Sequence, residues 1–227
     1  MKTIKHLSVA LAMALGMSTL AQTTTNDYTF NPDTAIPVDS QFGVTLSQDL
    51  TVPGGSISDV TVGLDISGGF NGDLYAYLSG PNGGFAVLLN RVGVQSGNSF
   101  GYSDSGMDVT FADSAADSIH FYQNVPGYDI TSGTASWQPD GENINPNSPA
   151  SDYPVAQSAM LSSFEDTNPN GTWTLFLADL SSGSPSTVVS WSLDIVTVPE
   201  PSAWALMGIG AAALLWIQRR QNSSGSL

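Results

Sequence analysis

The chain has 227 residues, 41% hydrophobic and 11% charged, with no Cys and a formal charge of −15. That length suits one domain of ordinary size with appendages. The missing cysteines exclude a disulfide framework, thiolate-bound zinc, an iron–sulfur cluster and a thiol nucleophile. The charge argues against nucleic acid as a partner, because a phosphate-binding surface needs clustered Lys and Arg, and four of the five basic residues lie at the chain ends. The first of those ends reads as a secretory signal peptide over 1–21. Lys2 and Lys5 form its positive start and Leu7 to Leu20 its apolar run, and small residues place cleavage between Ala21 and Gln22. The run falls short of the roughly 20 apolar residues that a membrane span needs.

From Gln22 to Val198 the chain carries nineteen Asp and Glu against the single Arg91. Residues 22–40 read as a polar leading segment with one or two edge pairings, ahead of an all-β body over 41–197. Val60, Val62, Leu64 and Ile66 alternate with Asp59, Thr61, Gly63 and Asp65, the period-two pattern of a half-buried strand. Leu74–Leu78 and Phe85–Leu89 are two more strands, joined by the turn sequence SGPNGG at 79–84. Met107–Phe111, Thr172–Ala178 and Val188–Ile195 complete the set, with Trp191, Leu193 and Ile195 on one face. Trp137–Pro154, dense in Pro, Asn, Asp and Ser, reads as a long surface loop. Short strands, turn-rich connections and no helical period predict a β-sandwich of jelly-roll type.

At the C-terminus, Val198, Pro199, Glu200 and Pro201 precede an apolar stretch over 202–217. Arg219 and Arg220 follow, then a polar tail at 222–227. Physically this is a helix breaker, a transmembrane helix barely long enough to cross a bilayer, and a basic stop. In that order, residues 198–221 resemble the PEP-CTERM sorting signal of Gram-negative bacteria. The resemblance implies that an exosortase, a membrane-embedded cysteine-type transpeptidase, recognises Pro199, Glu200 and Pro201, removes the helix and passes the ectodomain outward. It also implies the company of exopolysaccharide and biofilm. The protein is then held in the cell envelope by its C-terminal helix until processing, and afterwards lies at the cell surface or outside the cell.

The body carries a second resemblance. ISDVTVGL at 57–64 and NGDLYAYLSGPNGG at 71–84, then LSSF at 161–164, NGTWTL at 170–175, Ala178-Asp179 and SWSL at 190–193, resemble the P domain (P/Homo B domain) of proprotein convertases and many bacterial secreted proteins. The likeness covers most of the mature chain. Asn71 stands where the family often has a basic residue, and Glu165 replaces a glycine. In convertases this domain is a β-sandwich that stabilises a separate subtilisin-like domain. Such a catalytic domain needs roughly 250 residues or more of its own. A serine endopeptidase label could therefore reach this chain through P-domain kinship, with neither catalytic domain nor triad to support it.

The remaining chemistry points the same way. A Ser-His-Asp triad needs a histidine base. His6 lies in the signal peptide, and His120, between Ile119 and Phe121-Tyr122, reads as a packing residue. The acids single out no pair set across a cleft for glycoside hydrolysis. Calcium is the better use of the acidity, since extracellular modules bind it through carboxylates and carbonyls. The densest cluster is Asp104, Asp108, Asp113 and Asp117, whereas Asp73 and Asp179, at matching family positions, could meet at one end of the sandwich. The alternative is that Asp73 caps its turn and the others form a solvated face. Trp137 is the one candidate for stacking on a sugar, against a ring that pins the long loop. The sequence reads as an exported, non-catalytic binding or structural module that meets an exosortase and matrix polysaccharide. The runner-up is an accessory domain for a separately encoded subtilisin-like protease.

Overall fold

The computed structural model describes residues 22–199, Gly208 and residues 210–218. The expected signal peptide with its cleavage site at Ala21, and Glu200, Pro201, Arg219 and Arg220, lie outside the described residues. Residues Thr24–Val198 form one compact unit. Its strands are β1 (Thr24–Phe30), β2 (Thr34–Ile36), β3 (Ser40–Leu50), β4 (Ser56–Gly68), β5 (Leu74–Ser79), β6 (Phe85–Asn90), β7 (Met107–Phe111), β8 (Ser136–Trp137), β9 (Gly171–Asp179) and β10 (Ser186–Val198).

Two sheets enclose one core, so the unit is an all-β sandwich. The first runs β1-β10-β4-β7-β8 with β2 also on β10, and the second runs β3-β9-β5-β6. All pairings are antiparallel except the short β7–β8 contact. Alternation makes each sheet one-sided. Val60, Val62, Leu64 and Ile66 of β4, with Trp191, Leu193 and Ile195 of β10, meet Leu74, Ala76 and Leu78 of β5 and Trp173, Leu175 and Leu177 of β9. Each such fully buried aliphatic side chain stabilises the fold by about 1.5–3 kcal/mol.

The structure refines the sequence reading at several places. Residues 22–40 make the edge pairings expected of them, and these belong to the sandwich itself: β1 pairs with β10 over seven residues and β2 over three more, so the domain begins near Thr24 rather than 41. Their polarity follows from position, because an edge strand is held by backbone hydrogen bonds and needs an apolar row on one side only. In β10, Val188 faces the core together with Trp191, three residues on. A register shift between Val188 and Ser190 makes this possible by turning the strand over. The segment after Trp137 is not a surface loop throughout. Asp140 and Gly141 donate backbone N–H to Leu88 and Val87 (3.1 and 2.9 Å), Ala159 accepts from Val87 (2.9 Å), and together they cover the free edge of β6. That cover explains why β6 is buried from Ala86 to Asn90.

The second described part is a helical stretch at 208 and 210–218. Among the described residues no helix is long and apolar enough to cross a membrane. The expected span at 202–217 falls partly outside them, so membrane anchoring by this segment is not shown.

Candidate functional site

Two places on the sandwich gather polar side chains. The first is an open groove of about 540 Å³ lined by Asp39, Phe70, Asp73, Phe100, Tyr102 and residues 180–182 among others. Its floor is the 3₁₀ turn Asn71–Asp73 at the entrance to β5. The 99–104 loop is strapped onto that turn, with Asn71 and Gly72 donating backbone N–H to the carbonyls of Asp104 (2.9 Å) and Tyr102 (2.8 Å). A Cβ on Gly72 would run into the Phe100 carbonyl, so the approach requires glycine. On the far wall, Leu180 donates to the Asp73 carbonyl (2.9 Å) and Asp39 to that of Ser181 (3.0 Å). Phe100 is 78% exposed and Phe70 partly so, two rings standing at the rim of an acidic, hydroxyl-bearing hollow. Burial raises the Asp179 carboxyl above the ordinary carboxylate range, and the charges of Asp73 and Asp39 add to it.

The second place is sealed. His120, in the 3₁₀ turn Ile119–Asn124 capped by Ser118, is buried with Asp140 and Glu142. Gly141 between the two acids has a left-handed backbone (φ 69°), and a side chain there would strike Met160 and Gln157. The His120 ring nitrogen Nδ1 stands 2.7 Å from Asp140 Oδ2, and Nε2 stands 2.9 Å from the Val94 carbonyl. Asp140 also accepts the Asn90 backbone N–H (3.1 Å), and Asn90 in turn donates to the carbonyls of Glu142 and Ile144 while Tyr153 donates to its Oδ1. Glu142 is 3% exposed and its Oε2 has no hydrogen-bond partner. Desolvation, reinforced by Asp140, pushes its carboxyl up to about 7. Burial alone would lower the imidazole, but the hydrogen bond and charge of Asp140 outweigh it, so the pair holds its shared proton more tightly than free imidazole does. Both ring nitrogens are occupied, so His120 directs no lone pair at a substrate.

The residues singled out in sequence fall into different places. Asp73 lines the groove, whereas Asp179, paired in register with the neighbouring Leu74, is buried behind it and feels the Asp73 charge. The cluster Asp104, Asp108, Asp113 and Asp117 does not assemble. Asp104 accepts from Tyr122 (2.9 Å) and Gln123 (2.7 Å), and Asp113 caps the turn Leu161–Phe164 by accepting from Leu161 and Ser162 (3.0 and 2.8 Å). Asp108 lies opposite Asp65 on β7, and the Asp117 carbonyl accepts from Gln138 (2.8 Å). Among the described residues the one group of three converging metal-type ligands is His120, Asp140 and Glu142. Trp137 is corrected outright: it is 4% exposed and packs edge-on against Tyr122 in the core, so its ring offers no face to a sugar. Sequence reasoning passed over Phe70, Phe100 and Asp39, and read His120 without its partners twenty residues away.

The comparisons with known proteins bear on the end of the chain. The family model of the PEP-CTERM protein-sorting motif matches residues 197–220. The C-terminus is a PEP-CTERM sorting motif. Such a motif is the recognition signal for exosortase processing, and it implies export and a surface or extracellular location. No curated protein matches the chain. Among solved structures, it is similar to a chain of the complex between the serine protease of Aeromonas sobria and a chaperone, at 15% identity and a TM-score of 0.45. That match covers 83% of this chain and 29% of the other. The serine protease of Aeromonas sobria alone gives 15% identity, a TM-score of 0.44, and coverage of 84% and 30%. This chain thus spans less than a third of either.

Proposed function

We propose that this exported protein is a non-catalytic binding module that holds an extracellular polysaccharide in the groove beside Phe70 and Phe100. The observation that carries the reading is the pairing, in one open hollow, of exposed rings with Asp39, Asp73 and Ser181. A sugar presents an apolar C–H face and a rim of hydroxyls. Aromatic rings suit the first, and carboxylates and serines suit the second. Exosortase processing at residues 198–201 would deliver the sandwich to the compartment where such polymers lie. The P-domain motifs support the same sandwich without supplying an active site.

The test is affinity electrophoresis through gels containing exopolysaccharide from an exosortase-bearing Gram-negative bacterium. Retardation of the wild-type protein, lost in Phe100→Ala with the melting temperature unchanged, is the expected result. Equal mobility with and without polysaccharide overturns it. Co-purification of a secreted subtilisin-like protease, with no retardation, would move the reading to the accessory domain of a separately encoded peptidase.

A further inference from the structure

We propose that His120, Asp140 and Glu142 bind one first-row divalent transition-metal ion in the interior of the sandwich. Three observations converge on it. The Val94 carbonyl can only accept, so Nε2 of His120 carries a proton, and the second ring nitrogen, Nδ1, faces Asp140 Oδ2. Two acceptors facing each other at 2.7 Å need a cation between them, a proton or a metal. The third observation is Glu142 Oε2, sealed from water without a partner, in a group whose ligand atoms all lie within 4.8 Å of one another.

The charges agree. A neutral imidazole and two carboxylates carry −2 in a dry site, and one divalent ion cancels that. The carbonyl on Nε2–H is the outer contact that metal-bound histidines generally make, fixing the tautomer and the ring plane. One imidazole with two carboxylates suits zinc or manganese, whereas calcium takes oxygen ligands alone. Loading the ion displaces to solvent the proton shared by His120 and Asp140, together with the proton that Glu142 carries when neutral, so their hydrogen bond gives way to bonds to metal. This inference is independent of the groove and of any polysaccharide.

The test uses the full-length protein, stripped with chelator and then refolded with zinc, manganese or calcium present, because the site is closed in the folded state. After desalting, metal is counted by mass spectrometry. About one zinc or manganese per chain and a raised melting temperature are expected, with calcium retained no better than in a blank. Glu142→Gln, which keeps the shape, should weaken zinc binding about tenfold or more. No retained metal, or equal retention in Glu142→Gln, overturns the proposal. Should that variant fail to fold, cobalt bound to the wild-type protein decides. A visible spectrum altered from that of the hydrated ion supports the site, and an unaltered one sinks it.

Discussion

The groove beside Asp39 and the cluster around His120 are built from the same kinds of side chain in opposite solvents. At the groove, Phe70, Phe100 and Asp39 stand exposed at an open hollow, and water screens the Asp39 charge. Around His120, every polar atom must find a protein partner or a cation, because the nearest water is excluded. The first region can therefore change its side chains at little cost to the fold. The second cannot, and the difference sets the order in which substitutions should hurt.

Asp140→Ala should be the most damaging change. It removes the partner of His120 Nδ1 and leaves the buried Asn90 N–H without its acceptor. Breaking a buried pair from one side costs about 3–5 kcal/mol, which in a domain of this size lowers the melting temperature by roughly 10 °C or more. Thermal melts of the two proteins check it. A loss below about 1 kcal/mol would mean that the cluster is wetter than its burial indicates.

Gly72→Ala tests the groove's backbone rather than its surface. The new Cβ would lie 2.6 Å from the Tyr102 nitrogen and 2.8 Å from the Gly101 carbonyl carbon, with the Phe100 carbonyl closer still. Backbone atoms cannot swing aside as a side-chain tip would, so the 99–104 loop must shift. Overpacking of this kind costs about 1–3 kcal/mol. The loop carries Phe100, so polysaccharide retention should fall together with stability, unlike in Phe100→Ala. A melt and a retention assay on the same sample separate the two variants.

The two regions also differ in how far the sequence reveals them. The strands that enclose the core were legible wherever alternation is strict, as in Val60 to Ile66, because a one-sided sheet writes its burial into every second residue. The sorting motif was legible because its order is contiguous. β1 was legible only as an edge pairing without bounds, since a polar edge strand such as Thr24–Phe30 differs little from a loop until its partner is known. The His120 cluster was hidden for a related reason. Its local neighbours suggest packing, and Asp140 and Glu142 sit in a run of turn-forming residues whose acids look solvated. Only the pairing of that run against β6 turns them inward. Trp137 misled in the reverse direction, as a large ring in polar company that the pairing of β8 with β7 carries into the core.

Between the wet groove and the dry cluster lies an intermediate case, Asp65 and Asp108, directly opposed on β4 and β7 and each half-buried. Desolvation raises the Asp65 carboxyl above its ordinary value, and the charge of Asp108 adds to the rise. The folded state then holds the Asp65 proton more tightly than the unfolded chain. Its contribution to stability is complete below the unfolded value near 3.8 and is lost as pH climbs through the raised folded value. Asp65→Asn cannot ionise and escapes that loss. At pH 7 the variant should be more stable than wild type by about 0.2–1 kcal/mol, the scale of a like-charge pair across a sheet. The advantage should vanish near pH 3 and shrink in high salt, since both carboxylates remain within reach of solvent ions. Denaturant melts at pH 3, 5 and 7 check the sign. An advantage that persists undiminished at pH 3 would assign the gain to packing, and a wild type more stable at pH 7 would mean that Asp65 and Asp108 are bridged by a cation instead of repelling each other.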